Sequence, residues 1–142
     1  MTKLMVRVCT MVMMGVLACS TLVAQSEKIS AGRVVEIRSY NLKPGTRDKF
    51  HQLAERDAVP MLKRWKIDVV AYGPSLHDAN SYFLIRSFAS VEDRQRSEDA
   101  FYGSDEWKTG PRDAVLACIE SYTTVVVRLD DATLKGLRAA RQ

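Results

Sequence analysis

The stretch RVVEIRSYNLKPG, residues 33–45, contains an alternating run that a Pro-Gly pair ends. Val35 and Ile37 fall on one side of an extended chain, whereas the charged residues Glu36 and Arg38 fall on the other. A period of two with β-branched residues is typical of a β-strand, and Pro-Gly is typical of a turn. The stretch therefore predicts a strand followed by a reversal of the chain.

The segment after this turn has a helical period. Apolar residues recur at three- and four-residue spacings from Phe50 to Trp65, which predicts an amphipathic helix. Thr46 is placed to cap this helix. Pro60 inside it removes a backbone hydrogen bond, so we expect a kink or a restart of the helix near Val59.

A second helix is predicted over residues 91–102. It is highly charged, so we expect it to lie on the surface and to dock mainly through Val91, Ala100 and Phe101.

The order of the predicted elements is β-α-β-β-α-β, with strands over residues 33–42, 67–72, 81–88 and 120–129. This order predicts an α+β fold of the ferredoxin-like type, a four-stranded antiparallel sheet with both helices on one face. The other face would leave valine and isoleucine side chains in water. We therefore expect two copies to pair through this sheet face as a homodimer, a dimeric α+β barrel.

The start of the chain predicts export. Residues 1–24 have the order of a signal peptide, with two cations, then an apolar run, then small residues. The apolar run is shorter than the roughly 20 residues that span a bilayer, so no membrane span is expected in the mature chain. Cleavage after Ala24 would give a soluble periplasmic or secreted protein. The alternative is lipidation at Cys19, which would give a lipoprotein.

The remaining chain divides into three parts. Residues 25–32 are predicted to be a flexible lead-in, residues 33–129 the domain, and residues 130–142 a helical tail. Cys118 is the only cysteine after Ala24, so a disulfide within the mature chain is not expected, and its apolar surroundings predict a buried thiol.

The charge of the chain argues against nucleic acid as a partner. The 142 residues carry a formal charge of +4, and removal of Lys3 and Arg7 with the signal peptide lowers it to +2. Proteins that bind nucleic acid concentrate far more positive charge on one surface. We therefore expect no nucleic-acid partner.

Several segments resemble one known family. Residues 34–45 resemble the opening strand and turn of NIPSNAP-domain proteins, which typically begin with a Y/V-E-x-R-x-Y-x-L-K-P-G run. Residues 82–88 and 90–94 resemble the family's third strand and the start of its second helix. Residues 101–107 are similar to the segment that closes that helix, where an acidic-Trp pair is usual.

The resemblance implies a dimeric α+β barrel over roughly residues 33–129. It implies no reaction, because the family has no single established chemistry and because one fold hosts many functions. Other barrels of this type include small cofactor-free monooxygenases.

No motif for a metal, a phosphate, a nucleophilic serine or a redox cysteine pair is found, so no cofactor and no metal are expected. The two histidines have alternative roles. His51 is placed either to pair with Glu55 one turn away on the surface or to act as an acid or base in a pocket. His77 is placed either as an exposed loop residue or, beside Asp78, as one half of a metal or proton-transfer site.

Two groups of residues remain as candidates for a site. Strand parity places four charged residues on one face of the sheet if the strand faces coincide, where they would form ion pairs or orient a bound polar group. This strand polar cluster consists of Glu36, Arg38, Arg86 and Arg128. The residues predicted to line a ligand pocket between sheet and helices are Tyr40, His51, Tyr72, His77, Arg86 and Trp107.

Three functions agree with these observations. The first is a homodimeric protein that binds a small, partly aromatic ligand in the cleft between sheet and helices. The second is a cofactor-free oxygenase or isomerase. The third is a structural or interaction module whose open sheet face meets a different partner.

Overall fold

The computed structural model of the protein describes residues 32–139. Its strands are β1 (Arg33–Leu42), β2 (Asp68–Pro74), β3 (Ser81–Phe88) and β4 (Ile119–Leu129). Its helices are α1 (Arg47–Leu53), α2 (Val59–Arg64), α3 (Val91–Gly103), α4 (Asp105–Thr109), α5 (Arg112–Cys118) and α6 (Asp131–Ala139). A π-helical turn, Ala54–Ala58, joins α1 to α2.

The four strands form one antiparallel sheet in the order β2-β3-β1-β4. The alternating run of residues 33–42 forms β1, which lies between β3 and β4. Glu36 on β1 lies opposite Arg86 on β3 and opposite Val126 on β4. The predicted α+β, ferredoxin-like fold is confirmed.

The first helical region is irregular at the position that the proline predicts. The Val59 N–H donates to the carbonyl of Ala54, five residues back, rather than to the residue four back. Because Pro60 has no N–H to donate, regular helical bonding is interrupted here, and α2 begins at Val59, where a restart was predicted.

The turn before α1 differs in part from the prediction. Thr46 is the N-cap residue of α1, as predicted, but its side chain makes no capping hydrogen bond, because its hydroxyl points to the carbonyls of Lys43 (2.7 Å) and Cys118 (3.1 Å). Thr46 therefore ties the turn to the end of α5. Gly45, beside it, has a φ of +78°, a conformation that glycine adopts without steric cost.

The two faces of the sheet are covered differently. Tyr40 and Leu42 of β1 belong to the main core, which the sheet shares with helices α1 to α5. On the opposite face, Leu134 of α6 is buried against Val35 and Val70. The C-terminal helix therefore covers one part of the face that we expected to be open.

The predicted signal peptide, including Cys19, lies outside the described residues, as do most of the predicted lead-in and residues 140–142. Between residues 32 and 139 there is no helix with the length and apolar character that a membrane crossing needs. Cys118 is buried, as its apolar surroundings predict.

Candidate functional site

A buried ion cluster joins β1 to β3. Glu36 and Arg86 are neighbours across the two strands, and both are fully buried, with 0% exposure. Arg86 Nη2 lies 2.5 Å from Glu36 Oε1, and Arg38 Nη2 lies 3.0 Å from the same oxygen. The structure thus brings together three members of the predicted strand polar cluster. The fourth, Arg128, lies apart from them and donates to the carbonyl of Gly32 at 2.9 Å.

Helix α3 completes the ion cluster with two residues that were not predicted to belong to it. Arg94 Nε donates to Glu36 Oε2 at 2.6 Å, and Arg94 Nη2 lies 2.9 Å from Glu98 Oε2. Glu98 also accepts from Arg86, and from Arg38 at 3.4 Å. The ion cluster therefore contains Glu36, Arg38, Arg86, Arg94 and Glu98.

A signal for these helix residues was present in the sequence. Arg94, Glu98 and Tyr102 recur every four positions, and residues at this spacing share one face of a helix. We expected α3 to dock through Val91, Ala100 and Phe101. Phe101 is buried, but Val91 is 53% exposed and Ala100 is exposed, because the charged face of α3 turns toward the sheet.

The two carboxyl groups of the ion cluster have pKa values that are shifted in opposite directions. Burial favours the neutral form of Glu36, but the charge of Arg86 and the hydrogen bonds to this carboxylate outweigh burial and lower its pKa to about 2. Burial and a hydrogen bond with Glu36 raise the pKa of Glu98. Glu36 therefore remains ionised at neutral pH.

Tyr102 links the ion cluster to a cavity. Its hydroxyl oxygen accepts hydrogen bonds from Arg38 Nη1 and Arg86 Nη1, each at 3.2 Å. The cavity, of about 50 Å³, lies between the sheet and the helices. Aromatic side chains line it, among them Tyr40, Tyr72, Tyr82, Phe101, Tyr102 and Trp107.

Tyr40 lies on the cavity wall near the ion cluster. Burial and the neighbouring Tyr102 raise the pKa of the Tyr40 hydroxyl to about 12, although Arg38 and Arg86 act in the opposite direction. Tyr40 therefore presents a neutral hydroxyl at neutral pH, one that can donate or accept a hydrogen bond.

A second polar contact reaches the cavity from the surface. His51 Nδ1 lies 2.8 Å from the hydroxyl of Tyr82, whose ring is buried in the cavity wall. His51 Nε2 lies 3.6 Å from Glu55 Oε1, and the His51 side chain is 37% exposed. His51 thus lies beside Glu55, as the surface alternative predicts, and contacts a residue of the cavity wall without lining the cavity itself. Its role as an acid or base stays a prediction.

The remaining predicted pocket residues fall into two groups. Tyr40, Tyr72 and Trp107 line the cavity, whereas Arg86 does not line it and is connected to it only by its hydrogen bond to Tyr102. His77 lies in the exposed loop between β2 and β3, where its backbone N–H donates to Ser75 Oγ at 3.0 Å, and it does not line the cavity. In the part of the chain that the structure describes, no group of His, Cys, Asp and Glu residues has a metal-binding arrangement.

Comparison with known proteins agrees with the fold. The family model described as NIPSNAP matches residues 35–129. The chain belongs to the NIPSNAP family. No curated protein matches the sequence.

Solved structures of NIPSNAP proteins are similar to this one at low sequence identity. A NIPSNAP family protein from Agrobacterium tumefaciens is 15% identical, with a TM-score of 0.65 over 73% of this chain and 91% of that chain. Another from the same organism, of unknown function, is 20% identical, with a TM-score of 0.66 over 71% and 91%. A putative antibiotic biosynthesis monooxygenase from Bordetella bronchiseptica is 21% identical, with a TM-score of 0.57 over 69% and 97%. At these identities the similarity establishes the fold alone.

Proposed function

We propose that this NIPSNAP protein is an exported homodimer that binds a small, partly aromatic ligand between its sheet and its helices. The observation that carries the proposal is the aromatic cavity whose wall, at Tyr102, is joined to the ion cluster. Ligand pockets commonly combine apolar and aromatic walls with a few fixed polar groups.

Binding requires one wall of the cavity to move. The cavity has a volume of about 50 Å³, whereas a cavity that binds benzene is about 150 Å³. Trp107 is the wall that we expect to move, because it is carried by the five-residue helix α4. For this wall to move, the contacts that join Glu106 of α4 to Arg64 (2.5 Å) and to Trp65 Nε1 (2.7 Å) must open.

The proposal is tested with a substitution that fills the cavity. Ala58 lies on its wall, so Ala58→Phe should occupy the space that a ligand ring needs. We expect ¹⁹F NMR to show that 4-fluorobenzoate binds the wild-type protein and binds the variant at least tenfold more weakly. Ala100→Phe adds the same ring at an exposed position of α3 and should bind like the wild type. Equal binding to all three proteins would contradict the proposal.

The homodimer is supported by a row of apolar side chains on the sheet face opposite helices α1 to α5. Ile85, Ile37 and Val125 are register partners across β3, β1 and β4. Ile37 is 36% exposed and Val125 is 55% exposed, because α6 does not reach them. Burying this row against a second copy would remove it from water.

Export rests on residues 1–24 and is tested by the N-terminus of the processed protein. We expect the protein made in a bacterial host to be recovered outside the cytoplasm, beginning at Gln25. A chain that begins at a lipid-modified Cys19 would support the lipoprotein alternative. An unprocessed chain that starts at Met1 in the cytoplasm would contradict export.

One contact favours an alternative function, a cofactor-free oxygenase or isomerase. Both reactions can begin when a base removes a proton from an acidic carbon, and a base must come within hydrogen-bond reach of its partner. His51 Nδ1 lies 2.8 Å from the hydroxyl of Tyr82, whose ring lines the cavity. In this alternative, His51 accepts the proton of Tyr82, and the tyrosine oxygen then removes a proton from the substrate.

The alternative is tested by exchange of hydrogen for deuterium at the acidic CH₂ group of phenylpyruvate, followed by NMR in D₂O. Enzymatic proton removal predicts exchange faster than without protein, and a loss of at least 100-fold of that acceleration in His51→Gln and in Tyr82→Phe. His77→Gln, in the exposed loop, should keep the wild-type rate. The same rate with and without protein would contradict the enzyme alternative and leave ligand binding as the function.

A further inference from the structure

The ion cluster contains donors that no protein group accepts. Arg38 Nε and Arg86 Nε are buried and have no hydrogen-bond partner among residues 32–139. Arg86 has no exposed surface. A buried donor without an acceptor is costly, and buried polar groups are therefore nearly always paired with protein, water or ligand.

The charges of the ion cluster do not balance. Arg38, Arg86 and Arg94 bring three positive charges, whereas Glu36 and Glu98 bring two negative ones when both are ionised. Each of these five side chains is at most 17% exposed, so water screens the surplus poorly. A buried surplus of one positive charge favours an anion of a single charge nearby.

The hydroxyl of Tyr102 connects the positively charged ion cluster to the cavity. Its oxygen accepts from Arg38 and Arg86, and the hydroxyl also carries one proton that it can donate. Two charge-assisted bonds to the oxygen make the remaining O–H a stronger donor, because hydrogen bonds in a chain polarise one another. Tyr102 lines the cavity, so an acceptor for this proton is available from a ligand there.

We infer that the ligand of this cavity is an aromatic carboxylate, whose oxygen accepts the Tyr102 proton beside Arg38 and Arg86. This inference rests on the proposed function and adds the charge of the ligand to it. A monoanion matches the single surplus charge. A dianion such as a phosphate would exceed it, and a neutral amide or alcohol would leave it uncompensated.

The test compares two probes that differ in charge but share one ring. By ¹⁹F NMR we expect 4-fluorobenzoate to bind the wild-type protein at least tenfold more tightly than 4-fluorobenzamide. Tyr102→Phe removes only the hydroxyl, and the preference should fall below threefold while the affinity for the amide is kept. Binding of the amide also shows that the variant is folded.

The outcomes separate this inference from the proposed function. Equal binding of both probes to the wild type would overturn the carboxylate and leave ligand binding standing. A preference for benzoate that persists in Tyr102→Phe would overturn the role of Tyr102. Failure of both probes to bind would contradict the proposed function and the inference together.

Discussion

All three arginines of the ion cluster contact the carboxylate of Glu36. It is fully buried, and its two oxygens accept from Arg38, Arg86 and Arg94. Removing one member of a buried ion pair leaves its partner uncompensated and typically costs about 3–5 kcal/mol. We expect Glu36→Gln to lower the free energy of unfolding, measured with urea at pH 7, by about this amount.

Glu120→Gln is the matched control for this substitution. Glu120 is exposed on β4 and accepts a hydrogen bond from Asn41 at 3.2 Å. Surface substitutions of this kind usually change stability by less than about 0.5 kcal/mol. Equal losses in the two variants would contradict a special role for the buried carboxylate.

The same carboxylate predicts a dependence of stability on pH. The pKa of Glu36 is about 2 in the folded chain, below its ordinary value of 4.5. Its contribution is therefore fully present above pH 4.5 and is lost as the pH falls from 4.5 toward 2. The raised pKa of Glu98 acts in the opposite direction, so the net loss is smaller than Glu36 alone would give.

We expect Glu36→Gln to lose less stability than the wild type between pH 5 and pH 3, measured by urea unfolding at each pH. Glu120→Gln should follow the wild-type profile. A profile for Glu36→Gln that is as steep as the wild type would show that other carboxylates control the acid limb.

At the residue scale, the alternation along β1 was enough to place Glu36 and Arg38 on one face, because strand side chains alternate. It did not predict Arg94 and Glu98, because their contribution depends on how α3 docks. Arg128 shares the parity of this face but lies near the end of β4, where it bonds to Gly32 instead of the ion cluster.

At the element scale, a glycine in the turn between β1 and α1 can be compared with a glycine at the end of α3. Gly45 has a φ of +78°, where an L-residue costs roughly 1–2 kcal/mol. Gly103, the last residue of α3, has an ordinary φ and nothing within 4 Å of an added Cβ. We expect Gly45→Ala to destabilise by about 1 kcal/mol and Gly103→Ala to stabilise by up to about 1 kcal/mol.

Urea unfolding of the two variants measures this difference. Because both substitutions add one methyl group, they differ mainly in backbone conformation. A stabilising Gly45→Ala would show that the turn relaxes to a negative φ, and the Pro-Gly pair would then not fix the path from β1 to α1.

Helix α6 is the element whose packing could be predicted least from the sequence. The spacing of Leu134 and Leu137 predicts one apolar face, but not the surface that it meets. That surface is the sheet face opposite the main core, where Leu134 is 3% exposed against Val35 and Val70. Arg138 adds an ion pair with Asp68 on β2, with Nη2 2.6 Å from Oδ2.

We expect Leu134→Ala to release α6 and to destabilise by about 2–3 kcal/mol, at the lower end for a buried leucine because the helix is terminal. Amide hydrogen exchange should increase along α6 and at Val35, while amides of β3 beneath α3 remain protected. Lys135→Ala, at an exposed position of α6, is the control. Unchanged exchange in α6 would mean that Leu134 does not hold it to the sheet.

At the scale of the whole molecule, the element order was predictable because the periodic segments are long and most of them end at a Gly, Pro or capping residue. The extent of the exposed sheet face was not predictable, because it depends on where α6 settles. The structure leaves Ile37 and Val125 exposed while covering Val35, so the surface for a second copy is one part of the face.

Val125 and Val126 allow this surface to be tested within one strand. They are adjacent on β4 and similarly exposed, at 55% and 43%, but their side chains point to opposite faces of the sheet. Val125 shares the face of Ile37, its register partner, whereas Val126 lies opposite Glu36 on the helix-facing side. A dimer formed through the apolar row would bury Val125 and leave Val126 at its margin.

We expect light scattering after size exclusion to give twice the chain mass for the wild-type protein and for Val126→Lys, and the chain mass for Val125→Lys. A lysine in the apolar row would place two desolvated charges in a symmetric interface, because each copy contributes the same residue. Disruption by Val126→Lys alone would move the interface to the opposite side of β4. A wild-type protein that is a stable monomer would instead favour an interaction module whose sheet face meets a different partner.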